Sequence, residues 1–103
     1  MEEKRIKKIS EKTNSTFNTI LYEGYGYQIE VRTWVDSKPS DEQIITIKPT
    51  EPFLPELNYV QKEKKFFITP AMTSLTEDSI DREIRNLKRV KQFIKEFNAT
   101  AFS

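Results

Sequence analysis

Histidine and cysteine are both absent from this chain, and their absence limits the chemistry that its side chains can perform. Disulfides, zinc sites of the cysteine or histidine type and thiol nucleophiles are excluded. A serine or threonine nucleophile would need a lysine or a carboxylate as its base. We find no Gly-x-Ser-x-Gly elbow, phosphate-binding loop or EF-hand spacing. The sequence therefore predicts a protein that is not an enzyme, with no catalytic residue, no metal site and no cofactor.

The stretch at 24–27, Gly-Tyr-Gly-Tyr, holds both glycines of the chain. It resembles the RNP1 stretch of the RNA-recognition motif, in which a basic residue precedes alternating small and aromatic residues. Glu23 stands where that motif has its basic residue, and Gln28 and Glu30 occupy its later apolar and aromatic positions. A hairpin turn flanked by tyrosines accounts for the same residues, because glycine supplies the positive φ angles of tight turns. We therefore interpret the stretch as a turn.

Basic residues cluster near the C-terminus and could contact phosphates or an acidic protein surface. A solvated helix face is the more common meaning of such a cluster. One hypothesis is a nucleic-acid-binding module that uses the basic helix face for phosphates and tyrosine and tryptophan side chains for bases, with these residues assigned to it: Tyr22, Tyr25, Tyr27, Lys88, Lys91 and Lys95. A dedicated nucleic-acid binder usually has a basic domain, whereas the net charge here is +1. Nucleic-acid binding is therefore predicted to be weak.

Two parts of the chain have the patterns of paired strands. Residues 17–21 and 27–35 alternate apolar and polar side chains around the glycine turn, which predicts a hairpin. The β-branched run at 43–48 predicts a third strand, and 57–61 with 66–69 predict a second hairpin. The charged N-terminal segment, residues 1–14, fits either a helical turn or a bulged edge strand.

A long amphipathic helix follows the strands. Apolar residues recur at spacings of three and four and predict one buried face: Ile80, Ile84, Leu87, Val90, Ile94 and Phe97. Thr76 suits the N-cap position. Strands followed by one long helix are typical of an antiparallel sheet covered on one face. The sequence therefore predicts an α+β fold in one domain, 1–103, with an antiparallel sheet of about four to five strands within 15–70 and the C-terminal helix within 75–98.

Some apolar residues fall out of phase with the face that the helix would cover. Trp34 is out of phase with Val31, and Ile44 is out of phase with Ile45, so alternation places both on the far side of the sheet. Two successive phenylalanines cannot share a face, so one of Phe66 and Phe67 should lie on the far side, and Phe67 is the one that we include in the predicted contact. A sheet with apolar residues on both faces needs a second cover. The N-terminal segment or the proline-rich loop could supply it, and so could a partner.

The leading hypothesis is a small non-enzymatic protein that binds another protein as an inhibitor or adaptor. The residues assigned to that contact are Trp34, Ile44, Phe67, Arg82, Arg85 and Arg89. A structural homo-oligomer is a further alternative, in which the partner is a second copy. No apolar run is long enough to span a bilayer and no signal sequence is evident, which predicts a cytoplasmic location without a membrane partner. The lysine-, isoleucine- and glutamate-rich composition is typical of accessory proteins encoded by low-GC bacteria or their phages and mobile elements.

Overall fold

A computed structural model describes residues 4–36, 43–69 and 74–99, which form six strands and one helix. In chain order these are β1 (Lys7–Thr13), β2 (Phe17–Gly24), β3 (Tyr27–Trp34), β4 (Ile44–Pro49), β5 (Glu56–Val60), β6 (Lys65–Thr69) and α1 (Glu77–Asn98). Strands β1 to β4 form an antiparallel sheet in sequence order, and β5 pairs with β6 in a separate antiparallel hairpin. The predicted α+β fold is confirmed, with its strands divided between two sheets.

The connection between β2 and β3 is a two-residue turn made by Tyr25 and Gly26. Gly24 pairs with Tyr27, and the two central residues have φ angles of 56° and 81°. Two successive positive φ angles define the turn type whose twist matches that of the flanking strands. A Cβ at position 26 would lie 2.6 Å from Leu54 Cδ1, so this position requires glycine for space as well as for its backbone angle.

The N-terminal segment is the bulged edge strand of the two alternatives. Strand β1 pairs with β2, and the register shifts between Lys8 and Ser10. Ile9 is therefore the extra residue of a β-bulge. Charged side chains along β1, such as Lys8 and Glu11, discourage pairing with a further strand. The strand extends the sheet at its edge and does not cover a face.

The core lies between the four-stranded sheet, the β5–β6 hairpin and the second half of α1. Its buried members are Tyr27, Ile29, Val31, Ile47, Leu54, Leu57, Val90, Phe93 and Phe97. The Phe97 ring centroid lies 4.8 Å from that of Tyr59 and 5.0 Å from that of Phe66. The Phe93 centroid lies 5.1 Å from that of Tyr27. These ring contacts join the two sheets and the helix in one core.

Helix α1 begins at the predicted cap. The Thr76 Oγ1 accepts the Ser79 N–H at 3.0 Å, and the Ser79 hydroxyl accepts the Thr76 N–H at 2.8 Å. This reciprocal capping box satisfies two backbone donors at the start of the helix. The 22 residues of α1 span about 33 Å, whereas a five-residue strand spans about 17 Å, so the hairpin cannot cover the whole helix.

The prediction that the first half of α1 belongs to the core is wrong. Ile80, Ile84 and Leu87 are 43%, 48% and 44% exposed, and the buried helix residues are Val90, Phe93 and Phe97. Apolar periodicity identifies side chains that share a face, but it does not identify what covers that face. Phe93, which the predicted stripe omitted, is fully buried.

Candidate functional site

The candidate site is the side of the four-stranded sheet that faces away from α1. The buried side chains of β3 alternate with those that point the other way, and directly paired residues on neighbouring strands share a face. We call this surface the far face. On β2 to β4 it comprises Phe17, Thr19, Leu21, Glu23, Gln28, Glu30, Arg32, Trp34, Ile44, Thr46 and Lys48.

One end of the far face is apolar and partly preorganised. The ring centroids of Phe17 and Trp34 are 4.3 Å apart, and the Arg32 guanidinium lies 5.5 Å from the Phe17 centroid. Arg32 Nε also donates to Glu30 Oε1 at 2.8 Å, which further restricts the arginine. Trp34 and Ile44 are 47% and 45% exposed, so about half of each remains accessible to another molecule. We call Phe17, Arg32, Trp34 and Ile44 the aromatic patch.

A shallow concavity of about 560 Å3 extends the far face towards β1. All of its lining residues except Leu21 have polar or charged side chains: Ser10, Lys12, Thr13, Asn14, Thr19, Leu21, Gln28 and Glu30. Hydroxyl, amide and charged side chains in this lining can donate and accept hydrogen bonds. An apolar group beside polar, accessible side chains is the usual anatomy of a protein–protein contact.

Basic side chains outnumber acidic ones among the described residues of this face. Strand register places Lys12 and Lys48 on the same side as Arg32. The acids of the far face are Glu23 and Glu30, and the ion pair between Glu30 and Arg32 leaves Lys12 and Lys48 against Glu23. The charge distribution therefore favours a ligand that carries carboxylates.

Phe67 does not join the aromatic patch. It lies on β6, where Phe66 faces the aromatic core and Phe67 is 52% exposed on the other face of the hairpin. The expectation that Phe67 shares a sheet face with Trp34 and Ile44 is wrong, because β6 pairs with β5 and not with the larger sheet.

A row of polar residues on α1 holds the loop at 50–55. Asn86 Nδ2 donates to the Phe53 carbonyl at 2.8 Å, and Arg89 pairs with Glu51 Oε2 at 2.9 Å. The Arg82 guanidinium lies 4.7 Å from the Phe53 ring centroid. We call Arg82, Asn86 and Arg89 the loop-holding row. Their spacing of four and three was the sequence signal for it, but nothing in the sequence indicated the loop that they contact.

The helix arginines are therefore separated from the aromatic patch. Arg82 and Arg89 face the loop, and Arg85 is exposed on α1. The helix packs on the face of the sheet opposite Trp34, since its Phe93 contacts the buried side of β3. The structure does not unite these arginines with Trp34 in one contact surface. Phe17 and Arg32 accompany Trp34 instead: alternation along β3 is enough to place Arg32 on this face, whereas the position of Phe17 depends on the register between β2 and β3.

Tyr27 is fully buried and has a structural role. Its hydroxyl donates to the Pro55 carbonyl at 2.7 Å. Burial raises the pKa of Tyr27 to about 12, while nearby Arg89 lowers it and Glu83 raises it by smaller amounts. A ring with no exposed area cannot stack on a nucleotide base, so the predicted stacking role of Tyr27 is wrong.

The other two tyrosines of the nucleic-acid hypothesis also contact the protein interior. Tyr22 and Tyr25 pack against the core, and the Tyr25 hydroxyl donates to Glu96. The lysines of that hypothesis are exposed along α1, away from the far face: Lys88, Lys91 and Lys95. The structure does not assemble a stacking platform from these six residues.

Within the described ranges, no three acidic side chains are placed to hold a metal ion, and no helix has the length and apolar character needed to cross a bilayer. Comparison with protein-family models, curated proteins and solved structures gives no match to this chain. The far face is therefore the feature of this chain that indicates a function.

Proposed function

We propose that this protein is a recognition domain that binds another protein through the far face, with Trp34 as the central contact. The observation that carries the proposal is the half-exposed Trp34 on a face that neither α1 nor the loop at 50–55 covers. Tryptophan and arginine are among the residues most enriched at the energetic centres of protein interfaces.

The arrangement of the aromatic patch supports this role. Phe17 contacts both Trp34 and Arg32, and Arg32 is also bound to Glu30. Side chains that are already ordered lose less conformational entropy when a ligand binds. The aromatic patch is therefore suited to bind an apolar side chain of the partner.

The surrounding charges indicate the chemistry of the partner. Lys12 lines the concavity, Lys48 lies beside Gln28 of its lining, and Arg32 of the aromatic patch is already paired with Glu30. A partner with an apolar anchor flanked by carboxylates would complement both features. Charges at the rim of an interface act mainly on the association rate, so we expect association to slow as salt is added.

Affinity capture from the native host tests this proposal with two matched variants. Trp34→Ala removes the centre of the aromatic patch, whereas Phe67→Ala removes an aromatic side chain of similar exposure on the hairpin. We expect the wild type and Phe67→Ala to capture the same protein. With that protein purified, Trp34→Ala should weaken binding about 30-fold, or about 2 kcal/mol. Binding that is lost in Phe67→Ala and kept in Trp34→Ala would refute the assignment.

A further inference from the structure

The first half of α1 presents an apolar row that the rest of the described chain leaves half-exposed. Ile80, Ile84 and Leu87 follow one another at spacings of four and three, so they lie on one side of the helix. The row is separate from the far face, because α1 packs on the opposite side of the four-stranded sheet.

The apolar row also points away from the loop at 50–55. Each of its residues lies two positions from a member of the loop-holding row. Two positions correspond to about 200° around an α-helix. The loop-holding row contacts Glu51 and Phe53 on one side of α1, so the apolar row lies on nearly the opposite side.

Charged residues continue this row at both ends with the spacing of a coiled-coil seam. Glu77 lies three positions before Ile80, and Lys91 lies four positions after Leu87. The five residues Glu77, Ile80, Ile84, Leu87 and Lys91 therefore alternate spacings of three and four. We call them the helix seam. All five are exposed, and the helix seam is acidic at its first residue and basic at its last.

We propose that the helix seam binds a second copy of this chain, with the two α1 helices antiparallel about a two-fold axis near Ile84. Such an axis brings Glu77 of each copy to Lys91 of the other. Ile80 of one copy then packs near Leu87 of the other, and the two Ile84 side chains meet at the axis. The contact covers three apolar side chains per copy and pairs a charge at each end.

The charges select the antiparallel direction and favour self-association. A parallel pair would place Glu77 beside Glu77 and Lys91 beside Lys91, and like charges repel. Asp81 and Lys88 lie beside the helix seam, three positions before and four positions after Ile84, and they also meet across the antiparallel axis. The two ends of one helix are complementary, so a second copy in the opposite direction supplies every required partner.

Sedimentation velocity from micromolar to near-millimolar concentration tests this proposal by measuring the dimer Kd of variants in which the charges at the two ends of the helix seam are reversed. We expect the wild type to shift from monomer to dimer. Glu77→Lys and Lys91→Glu should each raise the dimer Kd by about tenfold, and the double variant should restore it to within about threefold of wild type. Residues 77 and 91 are separated by about 21 Å along one helix, so this restoration reports a contact between copies.

Two further variants control for charge and for folding. Arg85→Glu makes the same charge change as Lys91→Glu on exposed α1 surface outside the helix seam, and it should leave the dimer Kd unchanged. Leu87→Asp should give a monomer whose circular dichroism and melting curve match those of the wild type at concentrations where both are monomers. A wild type that stays monomeric, a dimer that survives Leu87→Asp, or a double variant that is no better than the single variants would overturn the proposal.

Discussion

The Tyr25 hydroxyl donates a hydrogen bond to Glu96 Oε1 over 2.9 Å and joins the β2–β3 turn to the last turns of α1. The Glu96 carboxylate also accepts the backbone N–H groups of Arg5 at 2.8 Å and Ile6 at 2.6 Å. Burial raises the pKa of Glu96, but these hydrogen bonds and the nearby charge of Lys4 outweigh burial and leave the pKa below its ordinary value of 4.5. Ionised Glu96 therefore stabilises the contact between the N-terminal segment, the turn and the helix.

Replacing Glu96 with Gln should lower the free energy of unfolding by about 1–2 kcal/mol at neutral pH. The pKa of Glu96 is lower in the folded than in the unfolded protein, so its stabilisation is complete above the unfolded pKa and is lost as pH falls through the folded pKa. Denaturant melts at pH values from neutral to acidic should show the gap between wild type and Glu96→Gln closing in acid. A difference in stability that stays constant with pH would contradict the role assigned to Glu96. The control is Glu56→Gln, an exposed change on β5, which should leave stability at neutral pH unchanged.

Phe93 and Leu87 should respond in opposite ways to truncation. Phe93→Ala removes a fully buried ring that contacts Tyr27 and Phe97, and it should cost about 3–5 kcal/mol. Leu87→Ala removes a half-exposed side chain and should cost less than about 1 kcal/mol in dilute solution. Thermal melts at low protein concentration compare the two. Equal losses of stability in the two variants would show that Leu87, in the first half of α1, is as well packed as Phe93.

Local patterns in the sequence predicted most elements of this fold, although they left β1 undecided between a helical turn and a strand. The alternation of β3, the glycine turn and the Thr76 cap are properties of neighbouring residues, and each prediction is confirmed. The division of strands into two sheets was not predictable in the same way, because it depends on pairing between distant segments. The exposure of Ile84 has a similar origin, since periodicity does not specify how far the covering sheet extends along a helix.

The sequence likewise predicted part of the candidate site but not all of it. Alternation placed Trp34 and Ile44 away from the helix, and strand register in the structure agrees. The neighbour Arg32 follows from the same alternation along β3, but Phe17 does not, because a shift of one residue in the pairing of β2 with β3 would move it to the other face. Phe67 was misassigned for the same physical reason, since its strand pairs elsewhere.

Gly26→Ala should destabilise the protein by about 1–2 kcal/mol or more. The backbone φ at this position is 81°, and a Cβ would lie 2.6 Å from both Leu54 Cδ1 and Glu51 Oε2. Leu54 is buried and has little room to move, so the turn or the loop must shift. Chemical denaturation measures the effect, with Glu51→Ala as a control that removes an exposed ion pair and should cost less than about 1 kcal/mol. A Gly26→Ala variant as stable as wild type would show that the turn relaxes freely.

Nucleic-acid binding should be weak and sensitive to salt. Tyr27 is buried, and Tyr22 and Tyr25 pack against the core, so these three tyrosines do not form a stacking platform beside the exposed lysines of α1. We expect affinity no tighter than about micromolar near physiological salt, without sequence preference. Fluorescence anisotropy titrations with single- and double-stranded oligonucleotides check this expectation. Nanomolar binding at that salt would require a nucleic-acid surface other than the α1 lysines and these tyrosines.

Trp34→Ala should leave the domain folded. The substitution removes a half-exposed side chain and its contact with Phe17, which is worth about 0.5–1.5 kcal/mol for an aromatic pair. Truncation of a buried core tryptophan to alanine would lower the free energy of unfolding by about 3–5 kcal/mol. Calorimetric melts of wild type and Trp34→Ala separate the two values. A loss in the core range would assign Trp34 to stability and not to recognition.

The most direct test of the far face uses Trp34 itself, which is the single tryptophan of the chain. Protein labelled with fluorotryptophan gives one fluorine NMR signal from this side chain, without background from an unlabelled partner. In the free protein we expect a signal that responds to exchange of H2O for D2O and does not change with protein concentration, because self-association uses the helix seam. Binding of the captured partner should shift the signal and remove its solvent sensitivity. A signal that is already shielded in the free protein, or that is unchanged at saturating partner, would contradict recognition through the far face.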